Sequence, residues 1–229
     1  FRLTEEQTAA LTARAREQGL LLTSVVQGAW AALLARTTGQ DDIVFGCTVS
    51  GRPAELPGAD DMIGMLINTV PVRARVEATA SLTDLCRLLQ RQRADLLDHD
   101  HIGLTEIQRL AGSAAALFDT NLVFENFPLG DYRLDVPGLD LDTRISFRDT
   151  THFPLTLVVE PGTTLGLRLS HHPDLLDRDR ATDLGARLVR LLDRWSSAPE
   201  TPLAALEDHC GGVGGAGRLG LEELGQGGG

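Results

Sequence analysis

Hydrophobic positions recur along this chain with two periods, and each period marks a different kind of element. Between about 4 and 18 the residues are rich in Ala, Glu, Arg and Gln. Thr4 followed by Gln7 has capping-box spacing, so a helix is predicted there, with Gly19 as its stop signal. Val26, Ala29, Trp30, Leu33 and Leu34 then repeat at three-to-four spacing, predicting a second helix from Thr23 or Ser24 to just before Gly39. That stripe reads as core. Trp30 is either packing or a ligand-stacking ring, and a helical stripe favours packing. Residues 43–49, IVFGCTV, form a β-prone run that opens into the Gly/Pro-rich loop GRPAELPGAD. Val70, Val72, Ala74 and Val76 alternate with Pro71, Arg73, Arg75 and Glu77, the period-two pattern of a strand with one solvated face. Pro71 places that strand at an edge or at a strand start.

Ser81 and Asp84 form a second capping-box pattern, ahead of a long amphipathic helix carrying Leu82, Leu85, Leu88, Leu89, Leu96 and Leu97 and ending near Asp98. A short helix is predicted over 104–110, and strand-like runs at 118–125, 139–147, 155–160 and 165–170. The last two make a hairpin through Pro161 and Gly162. A final helix over 178–195 sets Leu184, Leu188, Leu191, Leu192 and Trp195 on one face against arginines and aspartates. The elements alternate as an α/β fold, and no repeat of roughly 20 to 50 residues points to a solenoid or propeller.

Composition narrows the function classes. The chain has 229 residues, 42% of them hydrophobic, enough for one large core or two small ones. Acidic residues outnumber basic ones 32 to 21, a net charge of −11, so a nucleic-acid partner is not expected. Every basic residue is arginine, which excludes chemistry that needs a Schiff-base or proton-shuttling lysine. Cys47, Cys86 and Cys210 are odd in number and widely spaced, so a reducing, cytoplasmic setting fits better than a disulfide framework. No apolar run approaches the roughly 18 residues of a membrane span, and the start, FRLTE, lacks signal-peptide character, so no membrane is expected. The absence of an initiating Met fits N-terminal processing or a segment cut from a longer polypeptide. From Cys210 to Gly229, 10 of 20 residues are glycine, and 208–229 is expected to be a flexible linker or tail.

Three patterns offer chemistry and each has a plainer reading. Cys47 sits inside a predicted strand with no obvious base beside it, so it reads as a small hydrophobe rather than a nucleophile. In Asp98-His99-Asp100-His101 alternate side chains of an extended stretch face opposite ways, leaving two imidazoles on one side where zinc normally takes three or four ligands. A helix-end histidine pair is the alternative, and no metal is expected. Asn68 can orient a substrate by hydrogen bonding, or satisfy backbone groups at a strand start.

The stretch 49–73, VSGRPAELPGADDMIGMLINTVPVR, resembles a signature of nonribosomal peptide synthetase condensation domains. HDHIGLTEIQRLAG (99–112), LFDTNLVFENFP (117–128) and RDTTHFPL (148–155) resemble later blocks of that family, in matching order and spacing. The resemblance covers the C-terminal half of such a domain, residues 1–207. It implies a two-layer α/β sandwich, a mixed sheet flanked by helices, forming one lobe of a fold similar to chloramphenicol acetyltransferase. It implies an acyltransferase that joins carrier-bound thioesters through an amide bond. The catalytic H-H-x-x-x-D-G motif would belong to the other, N-terminal lobe, leaving no catalytic residue assigned in this chain. Ser170-His171-His172 looks similar but carries Leu176 and Asp177 where the motif needs Asp and Gly. The resemblance further implies that Asn68, Thr69 and Met65 border the reaction channel, while Gly51, Arg52, Pro53, Arg148 and Asp149 shape loops and lobe contacts. No cofactor would bind directly, since the substrates ride on the phosphopantetheine of donor and acceptor carrier proteins. The missing lobe and neighbouring synthetase domains are the remaining expected partners. The alternative is a non-catalytic condensation-like module that binds a carrier protein or recruits a tailoring enzyme.

Overall fold

Twelve consecutive residues, Ser24 to Ala35, are buried in one helix, so this helix is enclosed on every side and organises the molecule around itself. The computed structural model describes residues 1–50, 57–58, 61–64, 66–113, 115–125 and 153–206. The helices are α1 (Glu5–Glu17), α2 (Leu22–Thr38), α3 (Leu82–Asp95), α4 (Leu104–Leu110) and α5 (Arg178–Ser197). The strands are β1 (Asp42–Ser50), β2 (Ile67–Arg75), β3 (Thr120–Phe124), β4 (Leu155–Glu160) and β5 (Gly166–His171).

The five strands form one sheet in the order β2-β1-β3-β4-β5. β1, β3 and β4 run parallel to one another, and β2 and β5 close the two sides as antiparallel partners. The architecture is therefore a mixed α/β sandwich, as the sequence predicts. β2 lies at the edge, where Pro71 deprives the sheet of a donor at least cost. Ile43, Phe45 and Cys47 of β1 face the helices together with Leu122, Leu157 and Leu167 of the neighbouring strands. α2 lies against β1, α3 beside β2, and α5 against β5, α1 and α2.

Local chemistry explains most helix boundaries. At α1, Gln7 N–H donates to Thr4 Oγ1 at 3.2 Å and Thr4 N–H to Gln7 Oε1 at 3.0 Å. Ser81 and Asp84 repeat the device at α3, and those bonds hold the Asp84 carboxyl below its usual range. α2 starts at Leu22, earlier than its side-chain signals suggest, because a distant residue closes the turn. Gln90 of α3 accepts from Leu21 N–H at 2.8 Å and donates to the Gly19 carbonyl at 3.0 Å. α2 and α3 cross closely at Gly28, where an added Cβ would lie 2.5 Å from Cys86 Sγ. Cys86 is fully buried, and burial pushes its thiol up to about 12.

The first residues of the chain pair with β5. Leu3 N–H donates to Leu165 O and Leu167 N–H to Phe1 O, both at 2.9 Å, so the first residues continue the sheet past β5. Trp195 Nε1 on α5 donates to Thr83 Oγ1 at 3.0 Å, and that hydroxyl donates to Pro199 O at 2.7 Å. The predicted strand at 139–147, the loop at 51–56 and the Gly-rich tail from 208 lie outside the described residues.

Candidate functional site

Two of the motif blocks, 63–73 and 99–112, are held to each other by one side chain. Asn68 stands at the start of β2, opposite Val49, so it shares the helix-side face with Val70 and Val72. Its amide donates to Asp100 O at 2.8 Å and to Ile102 O at 2.7 Å, and its oxygen accepts from Thr69 N–H at 2.9 Å. Both amide hydrogens and the oxygen are thus engaged with backbone, which is the satisfying role the sequence left open beside direct substrate contact. The consequence is positional: Asn68 pins the turn between α3 and α4 and so sets where α4 begins.

Arg93 reinforces that turn. It forms a two-pronged pair with the Asp100 carboxylate, at 3.0 and 2.6 Å. With the Asp100 side chain only 14% exposed, the pair is well shielded from solvent. The predicted helix end at Asp98 is correspondingly shorter, since α3 stops at Asp95 and a 3-10 turn, Leu97–His99, follows. The Asp98–His101 stretch is therefore a turn in which the Asp100 carboxylate is committed to Arg93. Among the described residues, no group of three or more His, Cys, Asp and Glu side chains is disposed to hold a metal.

α4, α3 and the β2 edge enclose an open groove of about 940 Å³, walled by Val44, Pro71, Leu88, Leu96 and Ile107. Arg73 at its rim binds Asp42 at 2.8 and 2.6 Å and holds that carboxyl below its usual range.

Thr69 lies on the other face of the sheet, directly opposite Thr48. Val44 and Pro71, which wall the groove below α3 and α4, lie on this same face. Asn121, in the register position beside Gly46, projects there as well and donates from Nδ2 to Thr48 Oγ1 at 3.1 Å. It is only 4% exposed, and its Oδ1 has no hydrogen-bond partner among the described residues. Sequence reasoning missed Asn121. The available signal was a lone amide inside the apolar strand TNLVF, and its depth emerges only when the strands are aligned.

The remaining patterns resolve simply. Cys47 accepts from Gln27 Nε2 at 3.3 Å, and burial raises its thiol, so it stays protonated and inert as a nucleophile. Trp30 is fully buried in the core. His172 is exposed and lies 3.7 Å from Asp174, while Asp177, at the place of the motif's glycine, caps α5 by accepting from Arg180 N–H at 2.8 Å. Gly51, Arg52, Pro53, Met65, Arg148 and Asp149 lie outside the described residues.

A mixed five-stranded sheet with helices packed against it defines the class of scaffold as an α/β sandwich. Comparison with known proteins then gives the family: the Condensation domain family model matches residues 1–208, and the chain belongs to the condensation domain family. It is 41% identical over 169 residues, 73% of the chain and 3% of the relative, to a linear gramicidin synthase polypeptide of Brevibacillus parabrevis. It is 37% identical over 207 residues, 88% of the chain and 7% of the relative, to vanchrobactin synthetase VabF of Vibrio anguillarum. Among solved structures, the X-domain from teicoplanin biosynthesis matches with a TM-score of 0.77 at 22% identity, covering 89% of the chain and 48% of that structure. The first condensation domain of the calcium-dependent antibiotic synthetase, in complex with a substrate analogue, matches at 0.70 and 21% identity, covering 89% and 45%. The chain thus spans a small fraction of the curated relatives and about half of these solved domains.

Proposed function

We propose that this chain is the C-terminal lobe, residues 1–207, of an amide-forming condensation domain with a chloramphenicol acetyltransferase-like fold. The observation that carries the reading is the family match over residues 1–208 by a chain that spans only 45% to 48% of those two solved relatives. In the reaction an acceptor amine on one carrier attacks the thioester carbonyl on another. A C–N bond forms, the C–S bond breaks, and the amine's proton leaves with the departing phosphopantetheine thiol.

The catalytic histidine belongs to the other lobe, in its H-H-x-x-x-D-G motif. This lobe supplies one wall of the channel. Asn68 is a positioning residue: through Asp100 and Ile102 it fixes the turn that seats α4. Thr69 and Met65 border the channel, while Gly51, Arg52, Pro53, Arg148 and Asp149 shape the loops and the contact between lobes. The partners are the N-terminal lobe, the donor and acceptor carrier proteins, and neighbouring synthetase domains, in the cytoplasm. Residues 208–229 act as a linker, and no cofactor is held by the lobe itself.

The deciding experiment supplies the two-lobed domain with one loaded donor carrier and one loaded acceptor carrier. Dipeptide is expected, with loss of product when the second histidine of the upstream motif is replaced. The isolated chain should give none, and product from the isolated chain overturns the assignment. The likeness to the teicoplanin X-domain, which is also solved in a complex with OxyB, supports a second reading as a recruitment module. A degraded upstream motif, with carrier or enzyme binding but no product, identifies that case.

A further inference from the structure

The face of the sheet turned away from α2 carries a polar row crossing all five strands. Thr69 pairs in register with Thr48, Asn121 with Thr156, and Thr156 with Ser170, while the Asn121–Thr48 hydrogen bond links the two halves diagonally. Thr48, Thr69 and Ser170 are partly exposed, and Asn121 lies at the buried centre. In the structure the amide turns its Nδ2 toward Thr48 Oγ1. Oδ1 consequently rests over Gly46, where an added Cβ would stand 2.9 Å from Oδ1 and 2.4 Å from Phe118 Cε2. Phe118 stacks on Phe153 with ring centres 5.6 Å apart, so the oxygen lies beneath an aromatic cover.

A buried acceptor with no donor retains its desolvation cost until a donor arrives. An aromatic wall beside a fixed amide oxygen matches a group with an apolar stem and an N–H or O–H tip. We propose that Asn121 is a specificity-determining residue that accepts a hydrogen bond from a donor-bearing aminoacyl side chain of one carrier-bound substrate, the Phe118 ring turning aside to admit it. The inference rests on the amide-forming reading above.

Threonine and valine are nearly equal in shape and differ in one donor, so they make the probe. Each is loaded in turn on the donor and acceptor carriers of the two-lobed domain, and single-turnover amide formation is measured. At one of the two positions the unmodified domain is expected to favour threonine by at least about tenfold, because a site built for a donor rejects the analogue lacking it. Asn121→Leu is expected to collapse that ratio, and Asn121→Asp, which keeps an acceptor, to preserve it. Equal rates for threonine and valine at both positions of the unmodified domain overturn the inference without any mutation. A ratio unchanged in Asn121→Leu, or a uniform loss for every substrate together with a lower melting temperature, overturns it too, the latter marking a contact between lobes. Absence of product from the unmodified domain with every pair defeats the amide-forming reading itself and this inference with it.

Discussion

Asn68→Ala is the perturbation that separates positioning from chemistry. The substitution removes two donors from the Asp100 and Ile102 carbonyls and one acceptor from Thr69 N–H. Each such bond contributes about 0.5–1.5 kcal/mol net, so partial burial of all three predicts a loss of about 2–4 kcal/mol. With a urea dependence of about 2 kcal/mol per molar, the unfolding midpoint of the chain should fall by about 1–2 M. Asn68→Asp should be at least as damaging. It keeps an oxygen for Thr69 but places a carboxylate oxygen against two carbonyls that now receive no donor. Equilibrium urea unfolding of the three proteins is the assay, and the expected order of stability is Asn, Ala, Asp. A group acting on substrate alone would cost activity and leave the midpoint in place. An Asn68→Ala chain that unfolds within about 0.5 kcal/mol of the unmodified one, the least that a single bond of this kind contributes, would refute the positioning role.

Three further outcomes follow from the same geometry. Gly28→Ala should destabilise by up to about 2 kcal/mol, because overpacking against Cys86 Sγ at 2.5 Å exceeds a helix-propensity gain of about 1 kcal/mol. In a Cys86→Ala background the same change should become stabilising, and additivity across four thermal melts would contradict this. Cys86 is raised from 9.0 to about 12, so its neutral form contributes fully below pH 9 and that contribution is lost as pH climbs toward 12. Urea unfolding at rising pH should show the unmodified chain losing on the order of 1 kcal/mol per pH unit more than Cys86→Ala over that window. Asp42→Asn should leave the melting temperature essentially unchanged, since the Arg73 pair is open to solvent, and a clear drop in thermal melts would show otherwise.

The sequence revealed what is local and periodic. Thr4–Gln7 and Ser81–Asp84 announced two helix starts because capping is a contact over three residues. The alternation at Val70, Val72 and Ala74 announced an edge strand, and Pro71 agreed. Tertiary decisions were not legible. The early start of α2 depends on Gln90, about seventy positions away, and the early end of α3 accompanies a turn held by Asn68 and Arg93. Asn68 was singled out through the motif it belongs to, while its partners were invisible because backbone carbonyls carry no sequence signature. Asn121 was missed for a related reason. A single polar residue in an apolar strand becomes notable only when register sets it beside Gly46 and Thr48.

The closure of the chain's start onto β5 also bears on how the protein is made. Leu3 and Leu11 are fully buried, and the bonds of the first residues run to Leu165 and Leu167, more than 160 positions downstream. At a synthesis rate of roughly 5–20 residues per second, this opening segment waits about 10–30 s for its partners to be translated. During that interval its leucines are presented to the cell as unpaired apolar surface, open to chaperones and to neighbouring nascent chains. Synthesis speed through the codons between these segments therefore sets how long this stretch is vulnerable before it can close.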